Sequence, residues 1–242
     1  KVAQPILERL GGRLRLAVVG GAALDSTIAK SFIAMGLPIL HGYGMTEACP
    51  VVSVNRPEGN VPESVGPPLP NVEVMLGEQD ELLVRGPNVM LGYWENPEAT
   101  ATAIDPNGWM HTGDTAIMDG DGYVNIVGRI KDMIVRGGEN VYPREIEEYL
   151  MTHDSIEAVQ VTGVPDPKYG EEIIAWVSLV RGAEMSENDV KEYCKGKIAH
   201  YKVPRYIRFS ADFPMTVTGK VQKFKMREIS IKELGLEELT TA

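Results

Sequence analysis

The chain has 242 residues, 43% hydrophobic and 24% charged, with a formal net charge of -10. That length accommodates one large domain or two small ones around a buried core. The acidic balance, with no Lys/Arg run, excludes surface-charge binding to nucleic acid or to an anionic membrane. Two cysteines, Cys49 and Cys194, with no CxxC pair, fit a reducing, cytoplasmic compartment and supply neither a disulfide framework nor a zinc site.

The opening, "KVAQPILERLGGRLRLAVVGGA", lacks an initiator Met and a signal-peptide pattern. It reads as a short amphipathic helix over 5–10 running into a strand, so we expect a fragment whose upstream part is missing. A helix beginning near Ser26 and a second strand, "LPILHGYG", follow. Strand, helix and strand at these lengths predict a parallel sheet over 1–54. Residues 60–128 change to short strands ("NVEVML", "ELLVRG", "TAIMDG", "GYVNIVG") between Gly, Pro, Asn and Asp turns, which predicts a small antiparallel sheet or β-barrel. No apolar stretch approaches the roughly 20 residues that span a bilayer, so no transmembrane segment is expected.

Past Arg129 the texture becomes α+β. Pro143 opens the helix "PREIEEYLMTH", with acids near its N-terminus. Strands "IEAVQVTGV" and "EEIIAWVSLV" follow, then a helix capped by Ser186, the strand "RYIRFS", and a closing amphipathic helix over 223–234. We therefore expect two domains, 1–129 (α/β with a barrel-like second part) and a small α+β domain over 130–242.

Several stretches carry candidate chemistry. "VVGGAAL" is a glycine turn after a strand and departs from the GxGxxG dinucleotide pattern. "DGDGYVN" departs from the EF-hand spacing at Tyr123 and reads as a tight turn. In "GYGMTE", Tyr43 and Gly44 lie past a predicted parallel strand, where α/β sheets place ligands. Tyr43 could stack on a flat base, Thr46 could bind a phosphate oxygen, and Glu47 could hold a hard cation such as Mg²⁺; a plain polar loop is the alternative. In "GWMHTGD", Asp114 could accept both hydroxyls of a ribose, although His111 and Asp114 also suit a turn or a cap. In "PMTVTGKVQK", Lys220 follows Gly219 on a Thr/Gly loop and could reach a developing negative charge. Arg129, Lys131 and Asp132 put charge at the seam between two apolar strands, just ahead of Gly137–Gly138.

The motifs "GYGMTE", "GYWENPEAT", "GWMHTGD", "GRIKDMIVRGGENVYPREIE" and "TGKVQKFKMRE" occur in this order over nearly the whole chain. Together they resemble the adenylate-forming family: acyl-CoA synthetases, peptide-synthetase adenylation domains and beetle luciferases. The closing motif is most similar to fatty-acyl-CoA synthetases. The resemblance implies an acid–thiol ligase whose partners are ATP, Mg²⁺, a carboxylic acid and CoA, and it admits a homodimer. Acyl-AMP and pyrophosphate form first, and CoA thiol then displaces AMP. It also implies roles. Tyr43 would pack on adenine, with Gly21 and Ala22 lining the other side and Gly44 in the same loop. Thr46 would contact the α-phosphate and Glu47 the Mg²⁺. Asp114, helped by Arg129, would hold the ribose, and Lys220 would bridge the acyl carboxylate and the phosphate. Lys131 would be the hinge of a rotating C-terminal domain, and Gly137 and Gly138 would face the CoA tunnel. The family's Ser/Thr/Gly-rich phosphate loop is not in these residues, so the chain alone is expected to be inactive. The alternatives are an adenylation domain that loads a carrier protein and an inactive AMP-binding module.

Overall fold

The computed structural model describes residues 3–216 and 219–240. The chain divides into two compact units, Lys1–Ile126 and Val127–Ala242.

The first unit opens with helix α1 (Ala3–Arg9), strand β1 (Ala17–Val19), helix α2 (Ser26–Ala34) and strand β2 (Ile39–Gly44). The Asp25 side chain caps α2 by accepting from the N–H groups of Thr27 and Ile28, which satisfies two donors that the first turn leaves unpaired. β1 and β2 are parallel, with Val19 opposite His41. Strand β3 (Val51–Val54) then pairs antiparallel with β2, completing the sheet. The barrel-like segment is a four-stranded sheet in the order β4 (Glu73–Leu76), β5 (Glu81–Arg85), β6 (Met110–Met118), β7 (Val124–Arg129). Val52, Val65, Leu82, Val84, Met110, Ala116 and Val124 form the core of this unit, with Ala48 among them. Helix α3 (Pro97–Ala103) is added between β5 and β6, capped by the Asn96 side chain with Pro97 in its first turn.

The second unit is built on the long antiparallel hairpin of β10 (Ile156–Asp166) and β11 (Gly170–Leu179). Ahead of it come β8 (Ile134–Arg136), β9 (Glu139–Val141) and helix α4 (Pro143–Leu150). After it come helix α5 (Glu187–Cys194), β12 (Tyr206–Phe209), which is parallel to β11, and helix α6 (Lys223–Glu233). Within "EEIIAWVSLV" the run from Ile173 to Val177 is apolar at every position because β11 is covered on both faces. Ile173, Ala175 and Val177 face one core with Ile146, Leu150, Val190 and Cys194. The alternate residues Ile174 and Trp176 face another with Val164 and Met226. Ser186 caps α5 in a reciprocal capping box with Asp189. No helix among the described residues is long and apolar enough to cross a membrane.

Candidate functional site

The parallel pairing of β1 and β2 brings two loops together. Gly21 and Ala22 follow β1, while Tyr43 and Gly44 close β2, so both pairs lie at the carboxyl ends of parallel strands, where open α/β sheets leave a crevice. His41 ties the loops: its Nε2 lies 3.3 Å from the Ala22 carbonyl. The chain turns sharply after Gly44, and a Cβ there would sit 1.8 Å from the carbonyl oxygen of Pro50. No residue but glycine fits without moving the backbone. The turn is a single 3₁₀ turn, Thr46–Ala48, that presents Thr46 outward and is closed by Cys49 in the left-handed region at φ 49°.

Asp114 enters from the other sheet. His111 and Asp114 of "GWMHTGD" suit a turn or a cap by residue type, yet residues 110–118 are one strand. The register against β5 shifts between Glu81 and Leu83, which lie opposite Thr115 and His111, so β6 bulges at Thr112–Asp114. The bulge is held by polar contacts. Gly113 N–H donates to Glu81 Oε1 at 2.9 Å, and Glu81 Oε2 lies 2.8 Å from His111 Nδ1. The Thr112 hydroxyl donates to the Leu82 carbonyl at 2.7 Å and accepts from Asp114 N–H at 3.1 Å. A bulge re-aims a side chain out of the alternation of its strand. Here Asp114 Oδ2 accepts the Tyr43 hydroxyl at 2.5 Å across 71 positions of sequence.

Glu47 also has a partner, the Tyr93 hydroxyl, which donates to Oε1 at 3.0 Å. The carboxylate as hydrogen-bond acceptor, then burial and its negative charge, raise the Tyr93 phenol above its usual range, so it stays a donor at neutral pH. Among the described residues no group of three His, Cys, Asp or Glu gathers to hold a metal. A lone carboxylate suits Mg²⁺ held by one protein oxygen together with substrate phosphates and water.

The remaining sequence-predicted residues belong to the second unit. Arg129 ends β7 and is exposed, and exposed Lys131 lies on the 3₁₀ turn Ile130–Asp132. Gly137 and Gly138 form the turn between β8 and β9 at φ 62° and 88°. Such backbone favours glycine, and a Cβ on Gly138 would meet nothing within 4 Å. The strands beneath this turn are anchored. Arg136 Nε and Nη2 each donate to the Glu172 carboxylate at 2.8 Å, and Gly137 N–H donates to the Tyr169 carbonyl at 2.8 Å. Lys220 is exposed on a turn closed by Lys220 N–H to Thr216 Oγ1 and by Thr216 N–H to the Lys220 carbonyl. Val217 and Thr218 of that loop lie outside the described residues. Tyr93, Glu81, Thr112 and the Arg136–Glu172 pair were not singled out by sequence. Tyr93 lies inside "GYWENPEAT", Thr112 inside "GWMHTGD" and Arg136 inside "GRIKDMIVRGGENVYPREIE", but no spacing within those motifs marks the contacts they make.

Comparison with known proteins decides the family. The family described as AMP-binding enzyme matches residues 2–94, and the AMP-binding enzyme C-terminal domain matches residues 145–220. The chain belongs to the AMP-binding enzyme family. Gly21, Ala22, Tyr43, Gly44, Thr46, Glu47 and Tyr93 lie inside the first match, and Lys220 is the last residue of the second. Asp114, Arg129, Lys131, Gly137 and Gly138 fall between the two. YngI of Bacillus subtilis (strain 168), which its name assigns provisionally to the acyl-CoA synthetases, is 46% identical over 239 residues, covering 92% of this chain and 44% of YngI. The medium-chain acyl-CoA ligase ACSF2, mitochondrial, of Macaca fascicularis is 47% identical over 208 residues, covering 80% of this chain and 34% of the ligase. The crystal structure of ATP-bound MatB from Rhodopseudomonas palustris superposes with a TM-score of 0.86 at 35% identity, covering 93% of this chain and 47% of MatB. The chain thus spans less than half the length of these relatives.

Proposed function

We propose that the protein is an AMP-forming acyl-CoA synthetase acting on a carboxylic acid of the fatty class. One observation carries the reading: Ala22, Tyr43, Thr46 and Glu47 cluster at the carboxyl ends of two parallel strands, and Asp114 is thrown onto the same cluster by a strand bulge. The names of the relatives support the substrate class, and the ATP-bound neighbour supports ATP as the nucleotide.

In this reading the acid's carboxylate oxygen attacks the α-phosphorus of ATP. The bond to the β-phosphate oxygen breaks, pyrophosphate leaves, and acyl-AMP remains. The CoA sulfur, as thiolate, then adds to the acyl carbonyl, and AMP departs with the electrons of the mixed-anhydride bond. Tyr43 packs its ring on adenine beside Gly21, Ala22 and Gly44, while Asp114, with Arg129, receives the ribose hydroxyls. Thr46 donates to the α-phosphate. Glu47 supplies a carboxylate to Mg²⁺, which when bound offsets phosphate charge. Lys220 brings a cation to the phosphate under attack. A charge about 4 Å away is worth about 4 kcal/mol at an effective dielectric near 20. The 127–242 unit pivots at Lys131 between the two steps, and Gly137 and Gly138 then leave room for the pantetheine thiol. We assign the protein to the cytoplasm, in keeping with two unpaired cysteines.

Pyrophosphate release by the protein at its natural length, across a panel of carboxylic acids with and without CoA, tests the reading. Turnover is expected only with CoA and fastest on a fatty acid. Acyl-AMP accumulation indifferent to CoA would instead assign the acyl group to a carrier protein.

A further inference from the structure

The loop 86–96 is fastened to the segment 47–51 at three points. Met90 N–H donates to the Glu47 carbonyl at 2.8 Å, Asn88 Nδ2 donates to the Val51 carbonyl at 2.9 Å, and the Tyr93 hydroxyl donates to Glu47 Oε1 at 3.0 Å. Its far end is held as well, because Tyr93 N–H donates to Thr100 Oγ1 on α3 at 2.9 Å. Three of these contacts hold the loop without the phenol. Nor is Tyr93 part of the core: the residue is 40% exposed, between Leu91 and Trp94, which are 104% and 90% exposed. Neither fastening nor packing accounts for the hydroxyl on the carboxylate.

We infer that Tyr93 is a positioning residue for Glu47, holding Oε1 of the carboxylate so that Oε2 is left for the divalent cation. The inference rests on the proposed role of Glu47 as the cation's carboxylate. A glutamate on a surface turn samples many rotamers, and binding an ion must freeze them. A partner that already holds one oxygen removes part of that cost. A phenol suits the task better than Lys or Arg, because it orients the carboxylate without cancelling the negative charge that attracts the cation. Among the described residues only Oε1 of Glu47 is engaged, which leaves the second oxygen for the ion and its phosphates.

The test compares the protein with its Tyr93→Phe, Glu47→Gln and double variants at natural length. Mn²⁺ serves as the probe, its binding in the presence of ATP followed by electron paramagnetic resonance. AMP affinity without metal and the thermal midpoint are measured alongside. Tyr93→Phe is expected to weaken Mn²⁺ binding about tenfold, as loss of an outer partner of a metal ligand does, with metal-free AMP affinity and midpoint unchanged. In the Glu47→Gln background it is expected to add nothing. If Glu47→Gln weakens Mn²⁺ binding and Tyr93→Phe does not, the positioning role is overturned while the role of Glu47 stands. If Glu47→Gln itself leaves Mn²⁺ binding intact, the underlying reading of Glu47 fails, and this inference fails with it. A uniform loss of midpoint and of all ligand affinities in Tyr93→Phe would make the tyrosine a structural residue and overturn the inference.

Discussion

The candidate residues of the two units are held in different ways. In the first unit the side chains engage one another: Tyr43 on Asp114, Tyr93 on Glu47, and Glu81 on the bulge that carries Asp114. In the second unit Lys131, Gly137, Gly138 and Lys220 are exposed, and the backbone beneath them is what is fixed. A site that must recognise a nucleotide gains from side chains already in place, because less ordering remains to be done on binding. Groups that act in only one orientation of a moving domain need a stiff platform and an uncommitted tip.

That comparison breaks most sharply at the platform. Arg136 and Glu172 form a two-point ion pair with side chains 14% and 1% exposed. The hydrogen bond to Glu172 leads the rise of the guanidinium above its usual range, against the opposing effect of burial. Arg136→Ala would leave the buried Glu172 carboxylate with the longer contact to Arg205 Nη1 at 3.7 Å, so urea denaturation is expected to show a loss of about 3 kcal/mol, the low end for a broken buried pair. A joint Arg136→Met, Glu172→Leu change is expected to recover most of that loss, because no charge is left buried alone. A single-variant loss under about 1 kcal/mol would mean that the glycine turn does not depend on this anchor.

Much of the fold is legible in the sequence where one physical signal dominates. The two-sided apolar run of β11, Pro143 at the start of α4 and Ser186 capping α5 all predict what the structure contains. Helix α3 is not legible by periodicity, since "PEATATA" has no large apolar residue to form a stripe, although Asn96–Pro97 is a start signal. The strand Val51–Val54 hides behind the turn that precedes it. "MHTGD" is not legible as a strand because its Thr and Gly serve a bulge, which breaks the alternation by which strands are recognised. For the site, the resemblance names Tyr43 and Asp114 separately. No spacing rule joins residues 71 positions apart, or Glu47 to Tyr93 at 46.

The tip is tested by Lys220→Ala. With the platform intact, acyl-AMP formation is expected to fall about a hundredfold, equivalent to about 2.7 kcal/mol and comparable to loss of one preorganised donor. Conversion of supplied acyl-AMP to acyl-CoA is expected to be spared, since in the proposed rotation the lysine acts in the first step alone. Both half-reactions are measured on the same variant. A parallel fall in the two rates would tie Lys220 to structure or binding, and the contrast between platform and tip would lose its meaning.

The smallest effect expected comes from the pinned side of the comparison. Tyr43→Phe keeps the ring proposed to pack on adenine and removes only the hydroxyl that Asp114 accepts at 2.5 Å. Asp114→Ala removes the carboxylate itself, with about 1.5–3 kcal/mol for each charged hydrogen bond to ribose. Tyr43→Phe leaves those bonds possible and loses only the orientation of the acceptor. Its cost in AMP affinity by calorimetry is therefore expected to be about 1 kcal/mol, near fivefold. The Asp114→Ala loss should be clearly larger, and Tyr43→Phe should cost nothing further once Asp114 is gone. If Tyr43→Phe instead tightens AMP binding, the hydroxyl competes with ribose for the carboxylate. The 2.5 Å contact would then mark a closed resting state of the site rather than a preset one.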